Sequence, residues 1–146
     1  MIEQYNRRLP FHFKNVFFGC LGLQFISFGS FAQQSNWVAP KDADNVKNAV
    51  ISNNSVLSDA KTLYTSYCSP CHGDKGKGDG PASPGLNPKP ADHTSAAVQS
   101  ESDGALFWKL SEGRSPMPGY KKILTDQQRW ELIDYIRTLA KSSKKK

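Results

Sequence analysis

The sequence predicts an all-α, loop-rich fold, small enough for one compact domain with appendages. Three observations carry this. Apolar residues recur at the spacing of one helical face in three separate stretches, and 11 glycines and nine prolines punctuate the rest of the 146 residues. No stretch alternates apolar and polar residues as a half-buried strand does. A loop-rich domain of this size buries little apolar surface of its own, so a further core element is expected.

Taken from the N-terminus, Arg7, Arg8 and Lys14 form a basic region before an apolar run from Val16 to Phe31. Ser30-Phe31-Ala32 puts small residues at the −3 and −1 positions of a cleavage site. Residues 1–32 therefore read as a secretory signal peptide, with Gln33 as the mature start. An uncleaved membrane anchor is one alternative, but Gly19, Gly22, Gln24 and Gly29 break up a run already short of the about 20 residues a span requires. A lipoprotein attached through Cys20 is another, disfavoured by Phe17 three residues before it and by the apolar run continuing past it. Cleavage leaves Cys68 and Cys71 as the cysteines and Met117 as the methionine. It also places the chain in an oxidising compartment, periplasmic or exported, with membrane association left open.

Residues 33–54 are polar and lack sustained periodicity, as a linker or N-terminal extension would be. Trp37 is the exception, a large aromatic expected to dock onto its own domain. The domain itself spans 55–140. Its first helix is expected from Ser58 as N-cap toward Cys68, with Ala60, Leu63, Tyr64 and Tyr67 on one face. Five glycines and four prolines between Gly73 and His93 make that segment an irregular loop. A second helix follows from Ser102 through Leu110, carrying Leu106, Phe107 and Leu110 and stopping before Gly113. Ser115 to Gly119 is loop again. The last helix begins at Thr125, which forms a capping box with Gln128, and continues through Trp130, Leu132, Ile133, Tyr135, Ile136 and Leu139. Residues 141–146 are a basic tail.

The chemistry lies in Cys68-Ser69-Pro70-Cys71-His72, the C-x-x-C-H pattern of covalent c-type haem attachment. Thiols three positions apart share one side of a helical turn, where each can form a thioether with a haem vinyl group. The next histidine is delivered to one face of the iron as its proximal ligand. Such a ring would also be the missing core element. Met117 lies between Pro116 and Pro118, in a loop rather than on the apolar helix face where a gap-filling methionine belongs. It is expected as the second axial ligand, with core packing the alternative. His93 is a rival ligand, read here as a surface histidine because its neighbours Asp92 and Thr94 are polar. A structural zinc site needs four ligands, and two cysteines with His72 and His93 would all have to serve, two of them on the single Cys71-His72 step. A thiol-redox C-x-x-C belongs in a βαβ setting that is absent here.

Over roughly residues 55–140 the chain resembles the class I, monohaem cytochrome c family. The resemblance rests on Cys68 to His72, Gly78-Asp79-Gly80-Pro81-Ala82, Met117-Pro118-Gly119-Tyr120 and the closing aromatic helix. It implies a small cytochrome c fold around one covalent haem c, with iron bound by His72 and Met117. It further implies that the Pro81 carbonyl accepts the His72 Nδ1–H, a contact that would fix the ring and raise its basicity. Ala60 and Tyr64 on the first helix, with Leu132 and Tyr135 on the last, match the family's helix crossing.

The function expected is single-electron transfer in an exported respiratory chain, with no catalytic residues. A haem enzyme or a gas sensor would need a free or labile sixth site, and no distal acid/base set is recognisable. Partners are a redox protein donor and acceptor, a membrane respiratory complex among the candidates. The full chain carries +6, and Lys75, Lys77, Lys89, Lys121 and Lys122 flank the expected haem-facing loops. They would steer an acidic partner or simply be solvated. Interspersed Asp and Glu, together with export, argue against nucleic acid.

Overall fold

The structure, a computed structural model, describes residues 37–143, with side chains through residue 140. The signal-peptide reading of residues 1–32, Cys20 included, and the last three lysines of the tail lie outside the described residues. Among the described residues the α-helices are α1 Asn54–Tyr67, α2 Ser69–His72, α3 Ala96–Gln99, α4 Asp103–Glu112 and α5 Asp126–Ser143. 3₁₀ turns lie at Lys41–Asn45 and Ser83–Gly85. No strand occurs among the described residues, and Arg114 and Met117 form an isolated antiparallel bridge. Among the described residues the fold is all-α and loop-rich, as expected from the sequence.

Helix α1 begins four residues before the expected Ser58. The Asn53 side chain accepts from Ser55 N at 2.9 Å and Val56 N at 3.1 Å, satisfying the first free amides before Ser58 is reached. The helix packs on α5 through the expected residues. Ala60 and Leu132 are fully buried, and the Tyr64 and Tyr135 rings lie 5.1 Å apart. At the start of α4, Ser102 Oγ accepts from Ala105 N at 3.0 Å, and Gly113 ends the helix at φ +68°. The capping box opens α5 as expected, with Gln128 N donating to Thr125 Oγ1 and Thr125 N donating to Gln128 Oε1. Helix α3 falls where no element was expected. Arg137 on α5 braces the turn after it, donating to Gln99 O at 3.1 Å, Glu101 O at 2.6 Å and the Asp103 carboxylate at 2.8 Å.

Residues 37–53, expected as a linker, form a strap against α4 and α5. Ala43 is buried, and a Cβ on Gly104 of α4 would run into the Ala43 carbonyl. Asn48 Nδ2 donates to Asp134 Oδ1 of α5 at 2.7 Å. At the strap's start, Trp37 docks on its own domain, its ring 6.5 Å from the Trp108 ring in an edge-on arrangement. The Arg114 guanidinium lies 4.9 Å from the Trp37 ring centre and Lys109 Nζ 5.7 Å from it. The strap gives no periodic signal because it is extended apart from one 3₁₀ turn and its most buried side chain is an alanine.

Candidate functional site

The site grows from the end of α1. Cys68 N still donates to Tyr64 O at 2.8 Å, but Pro70 follows two residues later and the chain restarts as the single turn α2. Cys68 O accepts from Cys71 N at 3.1 Å and from His72 N at 2.8 Å, so the three chemistry-bearing residues of the pattern share one turn. Gly73, at φ +76°, ends it; a Cβ there would strike the Asp79 carboxylate. The loop that follows wraps back over this turn. Gly78 N donates to His72 O at 2.8 Å, Gly80 N to Cys71 O at 3.1 Å and Ala82 N to Pro70 O at 2.9 Å. Gly80 has no room for a side chain against the Pro70 carbonyl. The Gly78 to Ala82 motif thus serves as a backbone clamp around α2.

That clamp corrects the expectation for Pro81. Pro81 is exposed, carried on the stretch that folds over Pro70, and it does not accept from His72. The His72 Nδ1–H instead donates to the Ala91 carbonyl at 2.9 Å. The segment that supplies this carbonyl is held across the loop, with His93 N donating to Gly76 O at 2.7 Å. The physical need is as expected: Nδ1 is engaged and Nε2 keeps its lone pair for a metal. Burial holds the His72 ring below the usual histidine range, against the opposing pull of the Ala91 bond, so the imidazole is neutral.

His93 is also corrected. It is no surface histidine: its ring stacks on His72 with centres 4.0 Å apart and planes 20° apart, and Nδ1 lies 3.1 Å from the Tyr64 hydroxyl. The hydroxyl donates to Gly73 O at 3.2 Å, so His93 Nδ1–H is the donor to Tyr64. Burial, then the neighbouring His72, push His93 well below the usual range. Asp92, one residue earlier, is held low: burial opposes its ionisation, but hydrogen bonds from Thr94 and the charge of Lys77 outweigh it. Neither Ala91 nor His93 signalled itself in the sequence, since a carbonyl acceptor has no side-chain signature and polar flanks suggested exposure.

Met117 reaches the same region by a different route. Met117 N donates to Arg114 O at 2.8 Å and Arg114 N to Met117 O at 3.0 Å, closing the loop into a small ring. Tyr120 N donates to Leu110 O at 3.0 Å and fastens the loop to α4. The Tyr120 hydroxyl donates to Tyr67 O at 2.9 Å, tying the methionine loop to the residue just before Cys68. Met117 is half-buried against the apolar cluster that includes Cys68 and Tyr120. Tyr120, missed as a site residue, is the link; a tyrosine two positions after Pro118 was the available signal.

Whether these residues suit a covalent haem can be judged from the thiols. Cys68 and Cys71 are free rather than joined in a disulfide. Burial, with Cys71 beside it, pushes the Cys68 thiol up to about 12. Such a thiol resists the thiolate form that zinc demands, and among the described residues no three His, Cys, Asp or Glu side chains gather to hold a metal ion. A neutral thioether suits this dry position. The donor set fits haem: two unpaired thiols on one turn, a neutral imidazole with a free Nε2, and a thioether on a fixed loop.

A family description for cytochrome c matches residues 57–140, which takes in most of α1, the turn α2 with its clamp, the methionine loop and most of α5. The chain belongs to the cytochrome c family. Membership brings covalently bound haem c with its iron and haem-based electron transfer. Among solved structures, the fold is similar to a chain of the Kuenenia stuttgartiensis reducing HAO-like protein complex Kustc0457/Kustc0458, at 27% identity and TM-score 0.58. That match covers 64% of this chain and 49% of the other, so the cytochrome domain spans about half that chain's length. It is also similar to the KustC0563 c-type cytochrome, at 26% identity and TM-score 0.49, over 56% of this chain and 96% of that one. No curated protein matches the chain.

Proposed function

We propose that this cytochrome is a class I, single-haem electron carrier with His72 and Met117 as its axial ligands. Cys68 and Cys71 would hold the ring, and the Ala91 carbonyl would orient His72. The observation that carries this is the convergence of two independently fixed loops on the α1–α2 junction: Ala91 fixes His72, and Tyr120 ties the Met117 loop to Tyr67. A haem held there supplies one-electron exchange between Fe(II) and Fe(III). The chain's own part is to keep His72 neutral and fixed, to present a soft sulfur that favours Fe(II), and to exclude water from Cys68. Residues 1–32 would direct export to the periplasm or beyond, where the carrier would serve a respiratory chain between a donor and an acceptor protein.

The direct test is the ferric holoprotein, loaded with haem by a host that attaches it. The expected spectrum is low-spin with the weak sulfur-to-iron charge-transfer band, and Met117→Ala should abolish that band, open the sixth position to carbon monoxide in the ferrous form and lower the potential. A high-spin wild-type spectrum that shifts readily with carbon monoxide, or an unchanged potential in Met117→Ala, would overturn the assignment. The likeness to a chain of a reducing HAO-like complex favours one second reading, a bound subunit rather than a free shuttle. Native mass measurement on protein from its own cells separates the two.

A further inference from the structure

We propose that Trp37 is a positioning residue for Met117, acting through Arg114. The inference rests on the reading of Met117 as the sixth ligand and concerns what keeps it in place. The methionine loop is closed by the two backbone hydrogen bonds between Arg114 and Met117. Arg114 is therefore the other half of the ring that presents the sulfur. Its guanidinium lies 4.9 Å from the Trp37 ring centre, within the range of a cation–π contact. The same ring faces Lys109 and meets Trp108, both on α4, so Trp37 is seated against the helix from which the loop departs. The strap that carries Trp37 is itself fixed, by Ala43 against Gly104 and by Asn48 on Asp134. Trp37 lies outside the residues matched by the family description, so this brace is an addition to the cytochrome domain.

The physical consequence concerns a weak bond. A thioether is an easily displaced ligand of ferric iron, so its apparent strength scales with the fraction of time its loop holds the ligating shape. A contact that removes alternative Arg114 positions raises that fraction without touching the iron. Loss of the Trp37 ring would lower the occupancy of the sulfur and let an added ligand compete better.

The test is a titration of the ferric holoprotein with imidazole, followed by loss of the sulfur-to-iron band. Trp37→Ala is expected to bind imidazole roughly two- to five-fold more tightly than wild type, the change expected from loss of a half-exposed cation–π contact. Trp37→Phe, which keeps an aromatic face, should fall close to wild type. Arg114→Gln keeps the backbone ring but lacks the cation, and should match Trp37→Ala. Val38→Ala, on the same strap but with its side chain exposed, should not differ from wild type. Equal imidazole affinity in Trp37→Ala and wild type would overturn the brace. So would a change in Trp37→Ala that Arg114→Gln does not share, since the route would then bypass Arg114. If Trp37→Ala does not accumulate, the Arg114→Gln arm decides alone: tighter binding supports the brace and unchanged binding overturns it. If wild type binds imidazole as tightly as Met117→Ala, the axial assignment itself has failed, a result distinct from either of these.

Discussion

At the scale of single residues, Tyr64 does more than fill the helix crossing. Its ring packs on Tyr135, while its hydroxyl links Gly73 O, at the end of the 68–72 turn, to His93, which stacks on His72. Burial, reinforced by Cys68, holds the Tyr64 hydroxyl far above the usual tyrosine range, so it stays a donor. Tyr64→Phe would leave a buried carbonyl and the His93 Nδ1–H without their partner, at a cost of about 1–3 kcal/mol. Denaturant titration of the holoprotein should show that loss, whereas Tyr135→Phe, which keeps the ring contact, should stay within about 0.5 kcal/mol of wild type. Equal stability of the two variants would refute a polar role for Tyr64. The same residue shows what a sequence can and cannot reveal. Its place on the apolar face was legible from its spacing with Ala60 and Tyr67, but its partners were not, because one is a backbone carbonyl and the other lies 29 positions away.

At the scale of elements, short-range signals proved legible and long-range ones did not. Ser102 and the Thr125–Gln128 box cap their helices as expected, because each acts within three residues of itself. The start of α1 moved because Asn53 caps as well as Ser58 and comes first. The acceptor for His72 was expected at Pro81 and lies at Ala91, because carbonyl identity depends on how the loop folds, not on residue type. The docking of the strap is another long-range result, and it carries a pH signature. Burial, and then the charges of Asp103 and Glu131, push the Asp134 carboxyl up, against hydrogen bonds from Ser52 and Asn48 that pull it down. One of its oxygens is buried with no partner. The folded chain therefore holds a proton on Asp134 at a pH where the unfolded chain has released it. Its favourable contribution is intact below the unfolded carboxylate range and is lost as pH rises through the raised folded value. Asp134→Asn keeps an oxygen for Asn48 without the charge, so its melting temperature should exceed wild type near neutral pH and converge with it near about pH 3. A melting temperature no higher at neutral pH would contradict this.

At the scale of the whole molecule, the apolar core is modest. Tyr64, Leu132 and Ile133 are its most completely buried large side chains, and the cluster extends to Cys68, where one thioether is proposed. A domain this small is marginal on its own apolar surface, so the haem is expected to act as structure as well as cofactor. Protein carrying both Cys68→Ala and Cys71→Ala, and isolated without haem, should lose much of its helical circular dichroism and its cooperative melt. Full helix content with a sharp transition would show that the polypeptide core suffices.

The strap has a further consequence, in the order of events. Its contacts join residues far apart in the chain: Trp37 to Arg114, Ala43 to Gly104 and Asn48 to Asp134. They rest on few buried apolar side chains, Ala43 among them, unlike the α1–α5 crossing, and such contacts are the first to open locally, at a free energy below that of global unfolding. Hydrogen exchange in the first residues of α4 should therefore be faster than in the α1–α5 crossing. The strap becomes the molecule's slow clock, and the lifetime of its closed state sets how long the methionine loop stays braced between openings.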